Sequence, residues 1–152
     1  LSRYHNLFLL KAFTKRYAIA GVRLGYGISE NTELLEKMTM ATQPWNISVM
    51  AQAAGIAALK ENEYVENGRQ LVFEEAKYLK EKLQEIGMEV FPSEANYIFF
   101  KGPEDLFEKC VERGVLIRDC SNYFGLKKGY YRVAVRTHEE NEKLIQSMQE
   151  EA

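Results

Sequence analysis

The chain has 152 residues, of which 46% are hydrophobic, and a formal net charge of −2. That length buries one substantial core, or one compact domain plus part of another. A nearly balanced charge creates no field that would attract nucleic acid or an anionic membrane, so we expect neither partner. No apolar run approaches the roughly 18 to 20 residues that span a bilayer, and the first residues lack a signal-peptide pattern. We therefore expect a cytosolic protein.

Cysteine and histidine usage argues against a disulfide framework and against a metal site. Cys110 and Cys120 lie ten residues apart without a CxxC spacing, which predicts two free thiols. His5 and His138 have no partner pattern for metal coordination. The chain begins at Leu1 rather than at methionine and enters an apolar run within six residues. We interpret it as a possible fragment of a longer protein.

The first third of the chain reads as strand, strand and helix. The continuous apolar run Leu7–Leu10 is typical of a strand covered on both faces in a largely parallel sheet. A second strand is predicted over Val22–Ile28, where the glycines indicate close approach of another backbone or a ligand. Ser29 or Asn31 can cap the helix that follows.

Two helices of different character come next. Asn46 is predicted to cap a helix over Ile47–Lys60, which is apolar or small nearly all round and is therefore expected to be buried. Trp45, just before it, is expected to be a packing anchor. Residues 61–86 carry a single apolar stripe on a charged helix, and Gly87 supplies the stop. At about 35 Å, such a helix is long enough to connect two domains.

After Gly87 the pattern changes to short alternating elements. Pro103 is predicted to open a helix that Gly114 closes, and Thr137 with Glu140 forms a capping box for a last helix. The predicted strands are Met88–Phe91, Asn96–Phe100, Val115–Arg118 and Tyr130–Arg136. The resulting ββαββα order predicts a small α/β sandwich.

Lys15 and Arg23 are the first candidates for chemistry. A neutral lysine amine forms an imine with a carbonyl cofactor when nearby cations or desolvation lower its pKa. The planar guanidinium of Arg23 suits a phosphate dianion, and Gly21 and Gly25 allow a backbone to come close. The alternative is that both side chains are solvated loop residues, as most lysines and arginines are.

Arg118 and Arg132 form a second constellation. Each lies at or near the end of a predicted strand, and two guanidinium groups on neighbouring strands can bind a substrate with two anionic groups. The alternative is a pair of surface charges on edge strands.

The run Phe13–Tyr26, Phe-Thr-Lys-Arg-Tyr-Ala-Ile-Ala-Gly-Val-Arg-Leu-Gly-Tyr, resembles the signature of the class I/II aminotransferase group of fold-type I pyridoxal-phosphate enzymes. It is most similar to threonine-phosphate decarboxylases, with histidinol-phosphate aminotransferases close behind. The resemblance implies that Lys15 is the Schiff-base lysine, that Arg23 binds the cofactor phosphate, and that Thr14 lies near that phosphate. One departure is Ala12, where the family usually has a serine or threonine that contacts the phosphate.

The same resemblance implies roles for the second pair and a division of the chain. Arg132 would take the substrate α-carboxylate or its equivalent, and Arg118 would help to bind the distal phosphate. Residues 1–60 would be the C-terminal portion of the large cofactor-binding domain, 61–86 the connecting helix, and 87–152 the small C-terminal domain. In the family, the carboxylate that keeps the cofactor ring nitrogen protonated comes from earlier in the large domain. The chain is therefore expected to be the C-terminal part of an enzyme of perhaps twice the length, and a homodimer or a self-associating fragment.

Three functions remain open from the sequence. The first is decarboxylation of L-threonine-O-3-phosphate in cobalamin biosynthesis, which the segment from Arg118 to Asn122, followed by Tyr-Phe-Gly-Leu, favours. The second is transamination of histidinol phosphate or a related amino donor. The third is a catalytically inert folded fragment or interaction module.

Overall fold

A computed structural model describes residues 3–149. The chain divides into two compact units, Leu1–Glu66 and Asn67–Ala152. Within the part of the chain that the structure describes, no helix is long and apolar enough to cross a membrane.

The first unit is built on an antiparallel strand pair with three helices. Strand β1 pairs with β2 in a register that runs from Phe8↔Ser29 to Ala12↔Gly25. The elements are β1 (Phe8–Ala12), α1 (Phe13–Arg16), a 3₁₀ turn (Ala20–Val22), β2 (Gly25–Ser29), α2 (Thr32–Ala41) and α3 (Val49–Ala58). Asn31 caps α2 as predicted, because its Oδ1 accepts a hydrogen bond from the Leu34 amide at 2.9 Å.

The close approach predicted at the glycines of the second strand is confirmed at Gly25. A Cβ placed there would lie 2.8 Å from the backbone oxygen of Lys11 on β1. Only a residue without a side chain lets the two strands pair at this point.

The prediction that Leu7–Leu10 belongs to a parallel sheet is wrong. Strand β1 pairs only with β2 among the described residues, and the pair is antiparallel. Leu10 is 79% exposed. The prediction rested on the continuous apolar run, which is typical of a strand covered on both faces. Among the described residues, β1 is not covered in this way.

The expectation of a buried helix before residue 60 is also wrong. In α3 the buried residues are the small ones, Ala51 and Gly55, and the Gly55 face approaches Leu24 and Phe13. Val49 and Met50 are more than four-fifths exposed, as is Trp45, which is therefore not a packing anchor. Ser48, and not Asn46, caps the helix, with its Oγ 3.1 Å from the Ala51 amide.

Helix α4 (Asn62–Glu85) confirms the long charged helix with one apolar stripe, since Leu79 and Leu83 are fully buried on it. Gly87 ends it with φ +83°. The Gly87 amide donates to Gln84 O at 3.0 Å and the Met88 amide to Leu83 O at 2.9 Å. These two bonds form a Schellman motif, which satisfies the carbonyls of the last turn.

The second unit adds a four-stranded antiparallel sheet in the order β3-β4-β6-β5. Its elements after α4 are β3 (Glu89–Val90), β4 (Tyr97–Lys101), α5 (Leu106–Glu112), β5 (Arg118–Asp119), β6 (Tyr130–Ala134) and α6 (His138–Met148). Helix α5 begins at Leu106 and not next to Pro103, because the segment in between forms a turn in which the Leu106 amide donates to Pro103 O at 3.2 Å.

Alternation along the central strands separates a core face from an open face. Ile98, Phe100, Tyr131 and Val133 are at most 5% exposed and belong to one cluster with residues of α4, α5 and α6. Their strand neighbours, including Arg132, lie on the opposite face. The helices therefore cover one side of the sheet and leave the other side available.

Candidate active site

Lys15 lies in the short helix α1, and not on a loop as in the alternative interpretation of the sequence. Its neighbour Phe13 anchors that helix: the ring is 4% exposed and its centroid lies 5.0 Å from that of Tyr17. The Phe13 amide also donates to Leu24 O at 3.1 Å, which ties the start of α1 to the segment beside Arg23. The lysine itself is exposed.

Arg23 has a left-handed backbone, with φ 54° and ψ 45°, directly after the 3₁₀ turn. That turn packs against α1. The guanidinium makes a long contact from Nη1 to Ala20 O at 3.5 Å, and no carboxylate within residues 3–149 pairs with it. One compact segment thus presents an amine and a guanidinium that are both available to a ligand.

Thr14 and Ala12 flank the lysine. Thr14 is half-buried in α1. Ala12 occupies the N-cap position of that helix with an extended backbone and offers no side-chain hydrogen bond. The missing hydroxyl noted in the sequence is therefore also a missing helix cap.

Arg118 and Arg132 lie directly opposite each other on β5 and β6. Phe99 on β4 is the partner of Arg132 on its other side. Directly opposed residues project to the same face of a sheet, so both guanidinium groups are on the open face. Like charges in this arrangement repel each other.

Each arginine has an aromatic partner. The Arg132 Cζ lies over the Tyr97 ring, 4.9 Å from its centroid, and the Arg118 Cζ lies 5.5 Å from the centroid of Tyr123. Arg118 Nη2 also donates to Asn122 Oδ1 at 3.2 Å.

The nearest carboxylate in sequence is turned to another partner. Asp119 accepts hydrogen bonds from the amide and the hydroxyl of Ser121 at 2.8 and 2.9 Å. Within residues 3–149, neither Arg118 nor Arg132 pairs with a carboxylate, so their charges remain available to an anionic ligand.

A groove of about 550 Å³ lies on this face. Its lining residues are Pro92, Ser93, Glu94, Ala95, Tyr97, Phe99, Cys120, Tyr123 and Arg132. Burial raises the pKa of the Cys120 thiol, and the charges of Arg132 and Arg118 offset part of that rise. The Cys120 thiol therefore lines the groove in its uncharged form at pH 7.

Comparison with known proteins identifies the family. A family model described as "Aminotransferase class I and II" matches residues 1–148. The chain belongs to this family. The predicted resemblance is thereby confirmed.

The curated relatives of this aminotransferase-family chain include proteins with two different names. It is 33% identical to a histidinol-phosphate aminotransferase of Methanosphaera stadtmanae over 99% of the chain and 42% of that protein. It is 34% identical to a putative threonine-phosphate decarboxylase of Caldanaerobacter subterraneus subsp. tengcongensis over 97% of the chain and 41% of that protein. The chain thus spans about two fifths of the length of the curated relatives it matches.

Solved structures confirm the predicted α/β fold class. The histidinol-phosphate aminotransferase from Clostridium acetobutylicum matches 97% of the chain and 46% of its own length, with a TM-score of 0.91 and 32% identity. The enzyme of the same name from Sinorhizobium meliloti, at 21% identity, shares the fold with a TM-score of 0.75 over 95% of the chain and 40% of its own length. That structure contains pyridoxal 5'-phosphate, the cofactor predicted from the sequence.

The first unit has the groups that the aldehyde and the phosphate of such a cofactor require. An exposed primary amine and a guanidinium without a carboxylate partner lie on one packed segment, which suits a phosphorylated aldehyde. A Cβ added at Gly21 would meet no atom within 4 Å, so the backbone beside Arg23 is open to an incoming group. The residues present therefore fit the cofactor.

Two residues of the candidate site were missed by reasoning from the sequence. At Tyr97 the resemblance suggests active-site lining, whereas the residue pattern favours a plain strand start, and Tyr123 is given no role of its own within the run that follows Asn122. The signal for Tyr97 was the alternation of β4, which places it on the same face as Phe99. Nothing in the local sequence indicated the contact of Tyr123 with Arg118.

Proposed function

We propose that this chain is part of a pyridoxal-phosphate-dependent enzyme that acts on a phosphorylated amino compound, foremost as an L-threonine-O-3-phosphate decarboxylase. The observation that carries the proposal is the pair Arg118 and Arg132, which oppose each other on one sheet face without carboxylate partners in the described residues. A substrate with a carboxylate and a phosphate supplies the two anions that this pair requires. Arg132 would bind the carboxylate and Arg118 the phosphate.

Lys15, Thr14 and Arg23 would hold the cofactor in the first unit. Lys15 would carry the cofactor covalently through Nζ and would accept and return a proton there. Arg23 would bind the cofactor phosphate through its planar fork, with Thr14 close to that phosphate. When bound, the cofactor supplies an electron sink that stabilises negative charge on the substrate carbon.

Transamination of histidinol phosphate is the second candidate, and the names of the relatives favour it. The Methanosphaera stadtmanae protein and the Clostridium acetobutylicum structure both carry that name. Histidinol phosphate has one anionic group, the phosphate, whereas threonine phosphate has two. The oxo acid that accepts the amino group in a transamination also carries a carboxylate, so the opposed arginines suit either reaction, and the substrate assay below separates the two.

The proposal extends to the organisation and setting of the protein. Residues 1–60 would belong to the large cofactor-binding domain, 61–86 would be the connecting helix, and 87–152 the small domain. The enzyme would be a cytosolic homodimer that serves cobalamin biosynthesis. A monomer in sedimentation experiments would contradict the oligomeric part alone.

The cofactor role is tested on the chain itself by titration with pyridoxal phosphate. We expect the absorbance band of a lysine-bound cofactor, and we expect Lys15→Ala to abolish it. Lys11→Ala, an exposed lysine four residues earlier on β1, is the matched control and should retain the band. A folded chain without any band would favour the inert-module alternative for the isolated chain.

The substrate role is tested on the full-length enzyme. Release of CO₂ from L-threonine-O-3-phosphate is expected for the decarboxylase. Transfer of the amino group from histidinol phosphate to an added oxo acid, without CO₂ release, would instead establish the second candidate. Arg132→Lys should lower the kcat/KM for the doubly anionic substrate by at least tenfold, because a lysine cannot replace a bidentate guanidinium.

A further inference from the structure

The opposed arginines raise a physical question about how they are held. Arg118 and Arg132 are register partners, and like charges directly opposite each other destabilise a strand pair. A carboxylate between them would relieve the repulsion, but Asp119 is engaged by Ser121. Something other than an ion pair must orient the two guanidinium groups.

Tyrosine rings occupy that position on both arginines. Tyr97 is the register partner of Ala134, two residues along β6 from Arg132, so its ring reaches Arg132 diagonally across the sheet. The Cζ-to-centroid distances of 4.9 and 5.5 Å lie within cation–π range. Both rings also line the groove. The negative face of each ring attracts the guanidinium group beside it, as a carboxylate would.

We propose that Tyr97 and Tyr123 are positioning residues that hold the guanidinium groups of Arg132 and Arg118 ready for an anionic substrate. A ring attracts a guanidinium through one flat face and leaves its edge N–H donors unused. A carboxylate partner would occupy those donors. The arrangement thus orients each guanidinium group and leaves its N–H donors for the substrate, apart from the Arg118 Nη2 donor that bonds Asn122 Oδ1. The inference rests on the proposed substrate role of the two arginines.

The two arginines differ in how they are supported. Arg118 has a second contact, the hydrogen bond to Asn122 Oδ1, whereas the Tyr97 ring is the contact found for the Arg132 guanidinium. Removing the Tyr97 ring should therefore affect Arg132 more than removing the Tyr123 ring affects Arg118. The experiment can therefore compare a larger expected effect at Arg132 with a smaller one at Arg118.

The test uses the 152-residue chain with inorganic phosphate as the probe. The Nε–Hε resonances of Arg118 and Arg132 are assigned with Arg→Lys variants, and phosphate affinity is measured from their shifts. Tyr97→Leu should move the Arg132 resonance away from its ring-current position and weaken phosphate binding about two- to fivefold, the factor for an exposed cation–π contact. Tyr97→Phe, which keeps the ring, should restore both values.

Controls separate positioning from general damage. Tyr64→Leu removes an exposed tyrosine on α4 and should change neither resonance nor affinity. If Tyr97→Leu disturbs the backbone spectrum of the sheet, Tyr123→Leu provides the same test at Arg118, since that ring lies outside the strands. Its expected effect is smaller, because Asn122 remains.

Two results would overturn the inference. One is an unchanged Arg132 resonance or phosphate affinity in a folded Tyr97→Leu chain. The other is a Tyr97→Phe chain as impaired as Tyr97→Leu, which would show that the hydroxyl matters and the ring does not. Failure of the proposed enzyme function would appear separately, as loss of cofactor binding through Lys15 with both arginine signatures intact.

Discussion

At the scale of single residues, Arg23 combines an unfavourable backbone with a useful side chain. Its φ of 54° lies in the left-handed region, as does that of Ala18 at 55°. This conformation costs an ordinary L-residue roughly 1–2 kcal/mol, and asparagine or glycine adopts it with less strain. Such strain persists where the surroundings impose the conformation, and it concentrates at functional positions. The presence of an arginine at position 23 is therefore better explained by a need for its positive charge than by a contribution to the stability of the fold.

Arg23→Asn should separate these two contributions. We expect the chain to gain up to about 1 kcal/mol of stability, because asparagine tolerates the left-handed backbone. We expect its affinity for pyridoxal phosphate to fall at least tenfold, because a hydrogen bond to a charged group is worth about 1.5–3 kcal/mol. Ala18→Asn is the matched control and should stabilise the chain without changing affinity. Denaturant unfolding and cofactor titration provide the two measurements, and unchanged affinity in Arg23→Asn would remove Arg23 from the site.

At the scale of elements, helix α6 is held at its start by a network of polar groups. Asn141, 1% exposed, donates from Nδ2 to Glu75 Oε2 on α4 at 2.8 Å and to Arg136 O at 3.0 Å, and its Oδ1 accepts from the Arg136 amide at 3.2 Å. Glu140 closes the capping box with Thr137 and pairs with Arg136 at 2.8 Å. Because the buried amide is fully satisfied, the start of α6 has one defined position against α4.

The capping box should give α6 a measurable pH dependence. The hydrogen bonds from Arg136 and Thr137 lower the pKa of Glu140 from 4.5 to about 2. A depressed carboxyl pKa contributes stability that is present above the unfolded-state value and lost as pH falls through the folded-state value. The stability difference between the unmodified chain and Glu140→Gln should therefore be constant above about pH 5 and shrink between pH 4.5 and 2.

Thr137→Ala provides the comparison for that experiment. It should destabilise the chain by about 1 kcal/mol through loss of the cap. Glu112→Gln, an exposed glutamate at the end of α5, controls for a simple change in net charge. The measurement is the denaturation midpoint of the unmodified chain and of each variant from pH 2 to 7. A Glu140→Gln difference that stays constant down to pH 2 would show that the ion pair contributes nothing to folding.

At the scale of the whole molecule, locally encoded features were predictable and long-range ones were not. The stop at Gly87, the cap at Asn31 and the capping box at Thr137 each depend on residues within one or two turns, and each is present. The pairing of β1 and the exposure of α3 depend on what covers them, and both predictions failed. The apolar character of a segment indicates that it can be buried, but it does not indicate which other element of the protein covers it.

The candidate site divides in the same way. Lys15, Thr14 and Arg23 follow from one contiguous motif, and Arg118 and Arg132 follow from strand ends. Their roles stay predictions until the variants are measured. The tyrosine contacts arise from strand register and from a loop, which a single sequence does not specify.

The two units differ greatly in the core that each contains. Among the described residues, the buried hydrophobic side chains of the first unit are Phe13 and Ala51. The second unit buries a continuous cluster that joins α4, α5 and α6 to the sheet, with Ile98 and Phe100 fully buried. Because buried apolar area is the main favourable term in folding, the two units should have different stabilities.

Native-state hydrogen exchange should therefore show two levels of protection. Amides of the β1–β2 pair should exchange through low-energy openings, whereas amides of β4 and β6 should exchange only on global unfolding of their unit. Ile98→Ala, which removes a fully buried side chain, should lower the protection of the second unit by about 2–5 kcal/mol and leave that of β1–β2 unchanged. Phe13→Ala should have the reverse pattern. Equal protection in both units, or loss of protection in both units in either variant, would mean that the chain unfolds as a single cooperative body. In that case the small core of the first unit would not determine its exchange protection.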